Sequence, residues 1–439
     1  MSIRRNNQTT ASRGSESENE KTFDSERGEV THTEGGFVAA GSSSIVQLDK
    51  AAEKRLLWKI DLMVIPTVAL IYLFCFIDRA NIGNARLAGL EKDLNMTGTY
   101  DYNQLLSIFY ISYILFEIPS NIACKWMGPG WFLPILALGF GCASIGTAFV
   151  KDMPQACGVR FVLGVFESGM MPGTSYYLSR WYKRSELAFR LSLYVVMVPL
   201  AGAFGGFLAS AILKLPKFGS LTEWRMIFAI EGIVTVVIAL VAFVTLTDRP
   251  ETARWLTKEE KDFAIARVRA ERVGQSELID NWKTDKRQIF IILSAPLVMT
   301  GFLMFLASSD GKVRYAATFL IASSTFAMGP LTNAQASAQV ISDTSRSMSL
   351  ATNMMFGNVG GLISTWSYIK WDAPDYKIGN GLNLGAASGI LICGILTQVW
   401  MTWDNKRREK RDVERELEGL SPGEIENLEW KHPAWRWAP

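Results

Sequence analysis

The sequence predicts an all-α polytopic membrane protein, and three observations carry that prediction. Apolar residues make up 49% of the 439-residue chain, and charged residues only 20%. The apolar residues gather into runs of about 18–25, the length a helix needs to cross ~30 Å of hydrocarbon. One long charged segment divides these runs into two sets. The same composition excludes other classes. A net charge of +3 on 48.8 kDa is no footprint for nucleic acid. Five cysteines without paired spacing make neither a disulfide framework nor a zinc site. Both histidines, His32 and His432, lie in polar tails, so no metal or cofactor is expected.

Residues 1–50 are rich in Ser, Thr, Asn, Gly and charge, with Phe23 and Phe37 as their only aromatics. They cannot bury enough apolar surface to fold and read as a disordered cytoplasmic tail. No apolar h-region is present, so the first span is expected to act as the insertion signal. Spans are predicted near 59–80, 103–124, 131–150, 157–178, 189–213 and 225–247, forming a six-helix bundle over residues 51–247. The first carries a single charge, Asp61, between Ile60 and Ile77.

Residues 248–289 hold ten Lys/Arg and nine Asp/Glu. Inside them Thr257–Arg272 opens on an N-cap Thr with Glu260 three residues on, a capping box. Phe263, Ile265, Ala266 and Val268 form a narrow apolar stripe, so an amphipathic helix is expected under the membrane domain. Four further spans, near 290–307, 314–333, 348–369 and 382–403, form an incomplete second bundle over 290–404. Residues 405–439 are a cytoplasmic tail. The spans near 314–333 and 348–369 are rich in Ser, Thr, Asn and Gly, as helices facing other helices or a cavity are. Gly202/Gly206 and Gly357/Gly361 are GxxxG pairs, expected to let helix backbones approach. Trp366, Tyr368 and Trp371 read as an interfacial belt. The basic residues Lys50, Lys54, Arg55, Lys59, Arg180, Lys183, Arg184, Arg190 and Lys406–Arg411 put both termini in the cytoplasm.

Six helices, a charged loop and more helices are the layout of two linked bundles. Several motifs sharpen it. Phe76–Ala85 reads FIDRANIGNA, Glu117–Asn121 reads EIPSN, and Gly164–Gly169 reads GVFESG. Pro172-Gly173, Trp181-Tyr182, Glu186, Arg190, Trp224-Arg225, Glu231-Gly232, Pro250-Glu251 and Ala253–Leu256 follow in order. Through roughly residues 50–405 the chain resembles a major facilitator superfamily transporter, and more narrowly the fungal allantoate permease family of anion:cation symporters. That resemblance implies a two-bundle fold of twelve spans, whereas this sequence offers ten. Trp282-Lys283 runs straight into Thr284-Asp285-Lys286-Arg287, which is similar to the basic turn the family places after its eighth span. The seventh span and nearly all of the eighth are therefore expected to be missing, with the join at Lys283–Lys286. Two spans with their loops amount to roughly 60–80 residues at ~20 per span.

A charge at bilayer depth is costly unless paired or hydrated, so acids inside spans are functional candidates. Asp78, Glu117, Glu167 and Glu231 are those acids. Arg79 keeps its charge and fits a carboxylate in two-point contact, which makes it the anchor for an anionic substrate. Asp78, its neighbour, is expected to hold Arg79 or compete for it, so that protonating Asp78 frees Arg79; a structural or snorkelling ion pair is the plainer role. In related organic-anion symporters the residues matching Asp78 and Glu167 are the protonation pair, and the one matching Arg79 contacts substrate. Glu167 otherwise reads as a helix-packing acid. Glu117, before Pro119, reads as a structural acceptor. Glu231 is expected in a charge cluster with Arg225, and Arg346 at a cytoplasmic gate or topology signal. Asn358, between Gly357 and Gly361, lines the cavity or makes an inter-helix hydrogen bond.

No P-loop and no nucleophile–base constellation is present, so neither ATP-driven transport nor an enzyme is expected. The expected function is proton-coupled symport of a small organic anion, such as a vitamin, ureide, amino acid or related carboxylate, by alternating access. The expected setting is the plasma membrane, and the expected state a monomer. The alternative is a non-transporting shortened form, either a nutrient sensor or an inactive product of splicing or of an erroneous gene prediction.

Overall fold

The first helix sets the scale of the molecule. α1 runs without a break over Lys50–Leu87, so at 1.5 Å per residue its 38 residues extend about 57 Å. It continues well past Asp78, which puts the Asp78-Arg79 pair within the helix rather than at its end. The computed structural model describes residues 50–216, 223–273, 287–340, 343–419, 428, 431–433 and 435–437, apart from some side chains within them. The N-terminal tail and the expected join at Lys283–Lys286 lie outside the described residues.

After α1 come α2 (Leu90–Asp93), α3 (Asp101–Met127), α4 (Pro129–Thr147), α5 (Met153–Glu167) and α6 (Met170–Trp181). They are followed by α7 (Arg184–Val195), α8 (Met197–Ile212), α9 (Trp224–Thr245) and α10 (Lys258–Val273). The second half holds α11 (Arg287–Ala307), α12 (Gly311–Ala338), α13 (Asp343–Ser367), α14 (Lys377–Arg408) and the short α15 (Val413–Leu417). Among the described residues there is no strand.

Among the described residues, seven helices are long and apolar enough to cross a membrane: Ala51–Leu87, Asp101–Met127, Pro129–Thr147, Phe189–Ile212, Trp224–Thr245, Arg287–Ala307 and Lys377–Arg408. The sequence predicts ten. The other three correspond to α5–α6, which breaks at Ser168-Gly169, and to the more polar α12 and α13.

In the first half α4 packs on α9, α3 on α5, and α1 on α8 and α9. All three clusters of buried apolar side chains among the described residues lie in this half and its docked helix, between Leu56 and Ala264. In the second half α11 packs on α12 and α14, while α13 lies along α3. The contrast is plain in two helices: 61% of the apolar stretch of α4 is buried, against 17% of that of α14. Fewer helices leave fewer inward faces.

Glycine matters most between α3 and α5. A Cβ on Gly164 would stand 2.6 Å from the Phe109 carbonyl oxygen, and one on Gly169 would stand 2.7 Å from Ser120 Oγ. Those contacts bring Glu167, between them, against α3. The GxxxG expectation is corrected. A Cβ on Gly202, Gly206 or Gly357 would meet no described atom within 4 Å, and only Gly361 packs closely, against the Tyr110 ring.

α10 begins with the capping box the sequence predicts: Thr257 N–H donates to Glu260 Oε2 at 2.9 Å and Glu260 N–H to Thr257 Oγ1 at 3.3 Å. It docks by charge as well as by its apolar stripe. Lys59 Nζ is 2.7 Å from Glu260 Oε2. Arg267 is fully buried and donates to both Glu186 oxygens at 3.1 Å and to the Trp181 carbonyl at 3.1 Å. Trp255 stacks on Trp181 with centroids 5.4 Å apart. Nearby, Arg190 grips Asp61 through two hydrogen bonds of 2.8 Å.

Candidate substrate and proton-coupling site

Consecutive residues on a helix point about 100° apart, while residues three or four apart share a face. Cys75 and Arg79 therefore share one face of α1, and Asp78 and Asn81 share another. This geometry overturns the expectation that Asp78 holds Arg79. Arg79 Nε donates to Glu167 Oε2 of α5 at 2.5 Å, and Cys75 Sγ donates to the same oxygen at 3.4 Å. Glu167 is fully buried, whereas the Arg79 side chain keeps 20% exposure. The guanidinium is ringed by Phe76 at 4.8 Å, Phe109 at 5.2 Å and Tyr113 at 4.8 Å. Such contacts stabilise a cation where water is scarce.

The exposure of Arg79 is to a cavity of about 220 Å³ between the two halves of the chain. α1 contributes Tyr72, Phe76 and Arg79 to its wall, and α3 contributes Tyr113. Met170 and Met171 come from α6, and Met354, Gly357 and Asn358 from α13. Asn358 thus lies where the sequence puts it, with its Nδ2 donating to the Met354 carbonyl at 2.9 Å. Glu117 is fully buried one turn from Tyr113 and interacts electrostatically with Arg79. Neither of its carboxyl oxygens has a hydrogen-bond partner, so its expected role as an acceptor is corrected.

Asp78 points about 100° round the helix from Arg79, into a second buried cluster formed by α1, α4, α5 and α9. Ser144 Oγ donates to Asp78 Oδ1 at 3.0 Å, and Asp78 Oδ2 has no partner. Asn81 Nδ2 donates to Glu231 Oε2, and Asn84 Nδ2 to Asn81 Oδ1 at 3.2 Å. The strongest opposite charge acting on Asp78 is Arg160 of α5, not its chain neighbour Arg79. Arg160 is 3% exposed, stands 5.5 Å from the Phe228 ring, and has Nε and Nη2 without partners. Sequence reasoning missed Arg160 and Asn81. The signal for Arg160 was present: it is a cation two turns before Glu167 on one span, and cations inside spans are rare.

Glu231 and Arg225 do not form the expected cluster. Arg225 Nη1 donates to the carbonyls of Ala148 at 3.2 Å and Val150 at 2.5 Å, so it closes the end of α4. Its nearest described acid is Asp93 at 4.0 Å. Arg346 lies on α13, and its side chain is outside the described ones. Asn353 Nδ2 donates to Asn333 Oδ1 at 2.6 Å, tying α13 to α12.

The two halves are also joined along α3 and α13. Asn103 Nδ2 donates to the Thr365 carbonyl at 2.6 Å, and Trp366 Nε1 to Ser107 Oγ at 2.8 Å. Trp366 is therefore a tie between α13 and α3. A larger void of about 670 Å³ beside this contact, between α3, α13 and α14, has no charged residue in its lining.

A family model described as Major Facilitator Superfamily matches residues 68–283. The MFS transporter prlL of a fungal species (strain NRRL 50135) is 40% identical over 241 residues, covering 54% of this chain and 48% of that protein. The chain thus aligns with about half the length of that relative. The uncharacterized transporter C1039.04 of Schizosaccharomyces pombe is 30% identical over 445 aligned positions, covering 84% of this chain and 87% of that protein. Given 439 residues here, about 75 of those positions have no counterpart in this chain. Among solved structures, the inward-open xylose transporter XylE of E. coli superposes with a TM-score of 0.58 at 13% identity, covering 76% of this chain and 95% of that one. That likeness is one of fold.

Proposed function

Because the chain belongs to the Major Facilitator Superfamily and is a membrane transporter, we propose that it carries a small organic anion together with a proton. The observation that carries this reading is Arg79, bonded to the buried carboxylate of Glu167 at the wall of a cavity between the two halves. The guanidinium cannot give its Nε–H to Glu167 and to an incoming carboxylate at once. Protonating Glu167 removes that competitor and leaves Arg79 for the anion. One proton and one negative charge then enter together, and the site keeps its net charge. Asp78, with Arg160 nearby, is the second proton station, about 100° round α1 from Arg79. XylE, which shares the fold, is a proton:xylose symporter.

Within the superfamily we read the chain as a member of the allantoate permease branch, on the strength of its FIDRANIGNA, EIPSN and GVFESG segments. We read it as a plasma-membrane monomer with both termini in the cytoplasm. Uptake is expected to rise as external pH falls and to collapse with a protonophore. Arg79→Ala should abolish anion binding. Normal expression with unchanged uptake in that variant would sink the assignment.

A second reading is favoured by two observations. About 75 positions of the S. pombe relative lack a counterpart here, the size of a helical hairpin with its loops. The four-helix second half also lacks a buried apolar cluster among its described residues. A chain short of one hairpin would bind the anion without moving it. Binding and uptake measured on one preparation separate the two: saturable binding without accumulation supports the sensor reading, and accumulation supports the symporter. Sequencing the transcript across the codons for Trp282–Gln288 tests whether the hairpin is encoded.

A further inference from the structure

The wall of the Arg79 cavity selects among anions. Its lining holds one charged group, the Arg79 guanidinium. Beside that cation stand the rings of Phe76 and Tyr113, and across the cavity the thioethers of Met170, Met171 and Met354. The polar remainder is one amide, Asn358, and two tyrosine hydroxyls. We propose that the substrate is a monocarboxylate carried on a single flat aromatic ring. Its carboxylate lies on Arg79 and its ring lies between the Phe76 and Tyr113 rings and the methionines. This rests on the reading of the cavity as an organic-anion site.

Charge, polarity, size and shape each contribute. Arg79 already carries Glu167, and Glu117 stands near with both oxygens unpartnered. A second negative charge on the ligand would meet those carboxyls with no cation to receive it. A sugar or ureide would lose many hydrogen bonds to water and find one amide and two hydroxyls in return, and each unpaired polar group counts against binding. The volume of about 220 Å³ lies below the ~300–1,000 Å³ of sites for drug-sized ligands. One ring fits that space better than a nucleotide or a fused polycycle. Methionine fills space around a flat ring and makes favourable sulfur–aromatic contacts, and aromatic side chains meet a ring edge to face or offset.

The test uses the full chain in lipid nanodiscs at pH 5.5, with benzoate as the probe. Acetate, phthalate, L-phenylalanine and D-xylose serve as comparisons. Benzoate is expected to bind at least about tenfold more tightly than any of them. Phe76→Leu, close in volume, should lower the benzoate-to-acetate ratio by about tenfold. A melting temperature matching that of the native chain reports that the variant is folded. Arg79-dependent binding of acetate or phthalate as tight as benzoate overturns the aromatic assignment and leaves the organic-anion reading standing. Phenylalanine binding as well as benzoate overturns the monoanion assignment. No saturable binding of benzoate at millimolar concentration overturns the proposal. Proton-dependent uptake unaltered by Arg79→Ala would instead overturn the reading on which it rests.

Discussion

Glu167→Gln tests the competition at Arg79 most directly. The substitution keeps size and hydrogen-bonding capacity but removes the charge that Arg79 now contacts at 2.5 Å. Hydrogen bonds to charged groups contribute about 1.5–3 kcal/mol. An anion binding the native chain with Glu167 ionised must share the guanidinium with that carboxylate and lie beside its charge, and the variant removes that competition. At about 1.4 kcal/mol per factor of ten, the variant should bind anion about tenfold to a hundredfold more tightly at pH 7.5. Binding to the native chain is expected to depend on pH, and binding to the variant is not. The assay is equilibrium binding of a transported anion between pH 5 and 8, paired with uptake in proteoliposomes. Concentrative uptake driven by a proton gradient should be lost while anion exchange persists. If the variant binds no more tightly than the native chain and keeps its pH dependence, the Arg79–Glu167 competition is not the coupling step.

The remaining predictions concern the scaffold around that site. Arg267→Ala leaves Glu186 without its buried cation and should cost about 3–5 kcal/mol, read as loss of thermal stability and new proteolytic cleavage within residues 258–273. Gly164→Ala puts a methyl group 2.6 Å from the Phe109 carbonyl and should destabilise by about 1–3 kcal/mol; a native melting curve would show that α3 and α5 can separate freely. The hydrogen bond from Lys59 and the Thr257 backbone N–H hold the Glu260 carboxyl below its usual range. A lowered folded value means the contribution is present above the unfolded pKa of about 4.3 and is lost as pH falls through the folded value. The pair is partly exposed, so Glu260→Gln should cost under about 1 kcal/mol at pH 7. Its melting curve should merge with that of the native chain once pH falls below the folded value, and a constant gap would refute the linkage.

Much of the molecule is legible in local chain chemistry. Runs of apolar residues place α3, α4, α9 and α11 within about three residues, because a helix in hydrocarbon must satisfy its own backbone over a required length, while α1 and α14 run five to nine residues beyond their apolar runs at each end. Thr257 and Glu260 mark the start of α10 because a capping box depends on residues three apart. Counting charges inside spans finds Asp78, Arg79, Glu117, Glu167 and Glu231, since a charge there needs a reason. Hydropathy alone is less informative for α12 and α13, whose polar residues bring them below the level of the seven apolar spans.

Pairing is different in kind. Asp78 and Arg79 are neighbours in the chain yet point about 100° apart around α1, and their partners come from other helices. Gly164 and Gly169 let α5 and the start of α6 close on α3, and Glu167 between them bonds to Arg79 of α1. Asp78 meets Ser144 and feels Arg160 because α4 and α5 cover its side of α1. Glu231 is six residues from Arg225, but it bonds to Asn81 on another helix. A helix determines the direction in which each side chain leaves its axis, and so which residues share a face. The packing of separate helices determines what stands opposite that face, and with it which carboxylate the substrate meets at Arg79.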